Sequence, residues 1–105
     1  MTGYMLTFFT QQDRLHHGTP LADWLVKLAA ELDLGGATLV PAGEGMGHDH
    51  HLHSTRFFEL TDQPVSVVMV VTAPECDRLF ERLQAEGVQV FYVKSTVEFG
   101  KLGGA

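Results

Sequence analysis

A chain of 105 residues with 45 % hydrophobic side chains has the size of one domain and can bury a single core without covalent staples. The formal charge of −6 excludes a protein whose main task is to neutralise nucleic-acid phosphates, and the seven basic residues, Arg14, Lys27, Arg56, Arg78, Arg82, Lys94 and Lys101, are dispersed. One cysteine, Cys76, excludes an intrachain disulfide; with Leu79 and Phe80 at helical spacing it reads as a buried, unreactive thiol of a reducing compartment.

In chain order, Met1-Thr2-Gly3-Tyr4 runs directly into alternating residues, without the basic and apolar regions of a secretory leader, so a cytoplasmic protein is expected. Tyr4 to Gln11 reads as a strand with Tyr4, Leu6 and Phe8 on one face and Met5, Thr7 and Phe9 on the other. Both faces are largely apolar, which places the strand centrally. Arg14 to Gly18 reads as a loop, and Thr19-Pro20 predicts a helix start with a hydroxyl N-cap followed by proline. Leu21, Trp24, Leu25, Leu28 and Leu32 keep the helical spacing of an inward stripe, and Gly35-Gly36 predicts its end.

Ala37 to Ala42 reads as a short strand. No periodicity survives from Gly43 to His53, so a long loop is expected over about residues 43–56. Alternation over Ser54 to Glu59 is partial, Asp62-Gln63-Pro64 marks a turn, and Val65 to Val71 is a β-branched run suited to a central strand. That run is far shorter than the roughly 20 apolar residues of a membrane-spanning helix, so no insertion into a bilayer is expected. Thr72-Ala73-Pro74-Glu75 predicts a capping box, opening a helix with Cys76, Leu79, Phe80 and Leu83 inward. Gly87 ends it, Val88 to Phe99 alternates as the last strand, and residues 101–105 form a glycine-rich tail.

The order β-α-β-β-α-β predicts a single α+β domain over residues 1–105, with the ferredoxin-like split-βαβ arrangement: an antiparallel sheet carrying both helices on one face. The other face would be apolar and uncovered in a monomer, so association through the sheet is expected.

The densest chemistry is His48-Asp49-His50-His51-Leu52-His53, four imidazoles and a carboxylate within six residues. Neutral imidazole suits zinc, copper or nickel, so His48, His50, His51 and His53 are candidate metal ligands; solvated histidines on a polar loop are the plainer reading. Gly43-x-Gly45-x-Gly47 offers backbone amides to an anion, or simply flexes. Lys94 and Lys101 are candidate cations for such a ligand, or solvated side chains. His16-His17 read as surface residues, Trp24 and Phe80 as core, and Asp62 beside Glu59 as turn chemistry. The sequence carries no G-x-S-x-G, CxxC or HExxH motif, so no enzyme is expected. The enzymatic alternative is a small ferredoxin-like oxygenase or isomerase with His53 or His16 in an apolar pocket.

Five segments together resemble the PII-like signalling proteins, in a small branch of the nitrogen-regulatory PII superfamily. They are Gly18-Thr19-Pro20-Leu21, Leu34-Gly35-Gly36-Ala37-Thr38, Gly45-Met46-Gly47, Leu52-His53-Ser54 and Leu60-Thr61-Asp62-Gln63-Pro64-Val65. The resemblance implies a homotrimer with its sheets packed inward, acting as a sensor or adaptor. It implies an adenine nucleotide in clefts between subunits, and a partner, such as a membrane transporter or another protein, met through residues 43–53. Gly36, Thr38, Gly43, Gly45, Gly47 and His53 are the ligand-binding residues this implies. The chain departs from the superfamily after the second helix, where Glu86-Gly87 passes straight into Val88-Gln89-Val90 without a phosphate-gripping Gly/Lys loop. A divalent-metal-binding trimer using the histidine loop is the other reading in this structural class.

Overall fold

The computed structural model describes residues 1–41 and 64–103. Among them, β1 (Thr2–Gln11) leads to two-residue strands β2 (Leu15–His16) and β3 (Thr19–Pro20), then helix α1 (Leu21–Glu31) and β4 (Ala37–Pro41). The chain returns as β5 (Pro64–Val71), helix α2 (Ala73–Ala85) and β6 (Phe91–Glu98). The four long strands form one antiparallel sheet in the order β4-β5-β1-β6. That is the ferredoxin-like arrangement the element order predicts, with β1 and β5 central.

Strand alternation decides which side chains make the core. Leu6 and Phe8 of β1 and Val65, Val67, Met69 and Val71 of β5 are buried. They pack against Leu21, Ala22, Leu25, Leu28 and Ala29 of α1 and Cys76, Leu79 and Leu83 of α2, so both helices share one face. Trp24 and Phe80 are only partly buried at the rim of this cluster. The register carries Met5, Thr7, Val68, Val70, Val40 and Val93 onto the opposite face, where Met5 is 38 %, Val40 42 % and Val93 45 % exposed.

The α2 ends follow the sequence. Thr72 Oγ1 accepts from the Glu75 amide at 3.4 Å and the Thr72 amide donates to Glu75 Oε1 at 2.8 Å, completing the capping box. Gly87, at φ 71°, closes the helix: its amide donates to Gln84 and that of Val88 to Leu83. Burial pushes the Cys76 thiol pKa up, which fits an unreactive core residue.

The α1 ends differ from expectation. Thr19 does not cap the helix; it pairs with His16 in β3, the N-cap is Pro20, and the Leu21 amide donates to the Arg14 carbonyl at 2.8 Å. Leu32 is the C-cap, before Gly35-Gly36 is reached, because Asp33 takes the left-handed position at φ 59°. The Leu34 amide then donates to Ala29, and Leu34 is buried beneath the turn. The segment 14–18, expected as loop, contains β2 and the turn that joins it to β3, and β6 begins at Phe91 rather than Val88.

Candidate functional site

One end of the sheet gathers most chain crossings. There β1 ends at Gln11 beside Pro64, β4 ends at Pro41 beside Val65, and β6 begins with Phe91 beside Phe9. The β2–β3 hairpin, the start of α1 and the exit of α2 meet at the same end. Residues 42–63 therefore leave and re-enter the sheet at adjacent positions of two paired strands.

A cavity of about 260 Å³ opens there, lined by Gln12, Pro20, Ala22, Asp23, Leu39 and Val65. Thr10, the cross-strand partner of Val65, is 4 % exposed, and its hydroxyl has no hydrogen-bond partner among the described residues. A second, apolar hollow of about 150 Å³ lies between α2 and β6, with Phe80, Leu83, Val88 and Tyr92 in its walls. On β6 the Lys94 ammonium sits 4.2 Å from the Tyr4 ring centroid and 5.9 Å from that of Phe80, a cation–π placement rather than a free cation.

The titratable constellation among the described residues is at the hairpin. His17 and Gly18 both have positive φ, 54° and 80°, in the two-residue loop between the paired His16 and Thr19, the type I′ geometry. This tight turn sets the two imidazoles 4.2 Å apart, centroid to centroid, and the Trp24 indole packs edge-on to His16 at 4.4 Å. Both Nε2 atoms approach Glu86 Oε1, His16 at 3.3 Å and His17 at 3.4 Å. Arg82, one helical turn before Glu86, holds the other oxygen, Oε2, through Nε at 3.4 Å and bridges Glu31 at 3.0 Å. The His16 contact first, then those from Arg82 and His17, hold the Glu86 carboxyl pKa below its ordinary value. The Arg14 guanidinium donates to the Gln89 carbonyl, tying the hairpin to the α2–β6 connection.

Of the candidate site residues read from the sequence, Gly36 and Thr38 are among the described residues. Gly36, at φ 145°, precedes β4 at the end away from residues 42–63, and Thr38 lies on the open face opposite Val68. Gly43, Gly45, Gly47, His48, His50, His51 and His53 lie outside the described residues, as do Glu59 and Asp62. Of His16 and His17, both read as surface residues, His17 is at the surface, 72 % exposed at its side chain, whereas His16 is only 15 % exposed; both meet a carboxylate about 70 positions away. The signal in the sequence was the His-His-Gly triplet at a turn. Its partner Glu86 becomes visible only once α2 is packed.

The sequence matches the family DUF190, described as "Uncharacterized ACR", over residues 3–98. No curated protein matches it. Among solved structures, CPII from Thiomonas intermedia K12 bound to ADP, AMP and acetate is similar, with a TM-score of 0.64 at 14 % identity, covering 95 % of this chain and 90 % of that one. CPII bound to ADP and bicarbonate matches with a TM-score of 0.60 at 17 % identity, covering 96 % and 91 %. A Thermus thermophilus protein assigned as PII-like signaling matches with a TM-score of 0.59 at 21 % identity, covering 92 % and 87 %. At these identities the likeness is one of fold.

Proposed function

The chain belongs to the DUF190 family and has a PII-like fold, and from that premise we propose that it is a trimeric, cytoplasmic PII-like regulator that binds an adenine nucleotide between subunits and signals through residues 42–63. The observation that carries this reading is the extent of the likeness: the family match spans residues 3–98, and the fold superposes over 95 % of the chain on a protein bound to ADP and AMP.

Two features of the molecule support shared clefts. The open sheet face presents Met5, Val40 and Val93 to solvent in a single chain, and packing it against further copies removes that cost. The cavity at the sheet end, about 260 Å³, falls below the roughly 300 Å³ at which small-molecule pockets begin. It is part of a site, and a neighbouring subunit supplies the remainder. Residues 42–63 start and finish on adjacent strands at this same end, so a ligand that favours one arrangement of their base shifts the surface offered to a partner. A transporter or another protein is the partner class in this reading. No described helix is long and apolar enough to cross a membrane.

The proposed ligand is a nucleoside mono- or diphosphate in preference to ATP. The α2–β6 connection, residues 86–90, holds no lysine, and Arg14 and Arg82 at this end are already engaged with Gln89, Glu31 and Glu86. Among the described residues at this end, few cations therefore remain for a long phosphate chain. We propose no catalytic step: Cys76 is buried, with its thiol pKa raised, and the histidines of the described residues face a carboxylate rather than a nucleophile.

Titration calorimetry of the full chain with AMP, ADP and ATP tests the reading, with zinc and copper as separate titrants. Saturable heat with ADP or AMP, and weaker heat with ATP, is expected. No heat with any nucleotide, beside metal binding lost on replacing His48, His50 and His51 together by alanine, would overturn it in favour of the histidine-loop reading.

A further inference from the structure

We propose that His16 Nε2, His17 Nε2 and Glu86 Oε1 form a three-ligand site for a divalent transition metal of the zinc class, with ligands other than His48, His50, His51 and His53. All three donor atoms lie within 4.8 Å of one another. The His16–Glu86 and His17–Glu86 separations are 3.3 and 3.4 Å. Bonds of about 2.0–2.1 Å to nitrogen and oxygen place neighbouring ligands of a tetrahedral zinc about 3.3–3.4 Å apart, so the two His–Glu separations match a coordinated set.

The supports of the donors are arranged for ligation. The His17-Gly18 turn holds His17 in the left-handed region, which folds its ring back beside that of His16. Trp24 packs against His16 and restricts its ring. Arg82 takes Glu86 Oε2 and leaves Oε1 to the two imidazoles, the part played by outer partners in metal centres. Two nitrogens and one carboxylate oxygen select zinc, nickel or copper(II) over magnesium or calcium, which take oxygen sets. Because His17 is 72 % exposed at its side chain, the fourth position faces solvent and would hold water or an anion.

The site does not depend on the nucleotide reading, and its test separates it from the histidine loop. The reference is the full chain carrying His48→Ala, His50→Ala, His51→Ala and His53→Ala, titrated with zinc chloride and, for a spectroscopic signature, cobalt(II) chloride. One zinc per chain and the intense visible bands of four-coordinate cobalt are expected. His17→Asn, which creates the Asn-Gly pair that type I′ turns favour, should keep the melting temperature and weaken zinc binding about 100-fold. Glu86→Gln, which retains polar contacts to Arg82, should weaken it comparably. No zinc uptake by the reference chain overturns the proposal, as does zinc affinity within about threefold of the reference in both variants.

Discussion

The double variant Met5→Asp with Val93→Glu is expected to sediment as a folded monomer, whereas the unaltered chain sediments as a three-chain particle. Met5 lies on the open face of the central strand β1, between Val70 of β5 and Ser95 of β6; Val93 lies on the same face, opposite Thr7. At 38 % and 45 % exposure, both side chains have room for a carboxylate in a free monomer, so the cost to folding is small. Inside an interface each carboxylate would be stripped of water without a partner, a penalty of several kcal/mol per ion. Two such sites per chain, repeated in every subunit, outweigh the apolar gain of association. Sedimentation velocity with far-UV circular dichroism separates the outcomes. A variant that sediments with the parent and keeps its fold would show that this face is not the interface.

Phe8→Ala is the substitution expected to cost most in the core of the single chain. Phe8 is fully buried in the middle of β1, with ring centroids 6.5 Å from Phe80 and 6.3 Å from Tyr92, and it already borders the hollow between α2 and β6. Truncation enlarges that hollow instead of letting the core collapse, so a loss of about 3–5 kcal/mol is expected. Against a total of roughly 5–15 kcal/mol for a domain, this leaves the variant marginal or unfolded. Urea unfolding at matched protein concentration, which removes the mass-action contribution of assembly, measures the loss. A loss below about 1 kcal/mol would contradict the core assigned to β1.

The parts of the fold that were legible in the sequence rest on local rules with one outcome. Alternation over Tyr4–Gln11 and the β-branched run Val65–Val71 placed both strands centrally, and Thr72 with Glu75 and Gly87 marked the ends of α2. The errors fall where two local solutions compete. Thr19 suits an N-cap, but His17-Gly18 makes a type I′ turn that draws Thr19 into pairing with His16, and the backbone of Arg14 then receives the Leu21 amide. Gly35-Gly36 suits a helix stop, but Asp33 tolerates the left-handed region and buries Leu34 two residues sooner.

The candidate site was less legible, for a physical reason. Loop candidates were found by composition, and His48–His53 and the glycines before them lie outside the described residues. The His16–His17–Glu86 constellation joins a hairpin to the exit of α2 across about 70 positions, and tertiary packing alone creates it.

Native mass spectrometry of the full chain with ADP added tests the central claim most directly, because it reads assembly and ligand uptake together. The account predicts a three-chain particle that takes up ADP in steps, to a limit of three per particle. A monomer, or a trimer that takes up no ADP at a ligand concentration saturating for other PII-like proteins, would contradict it.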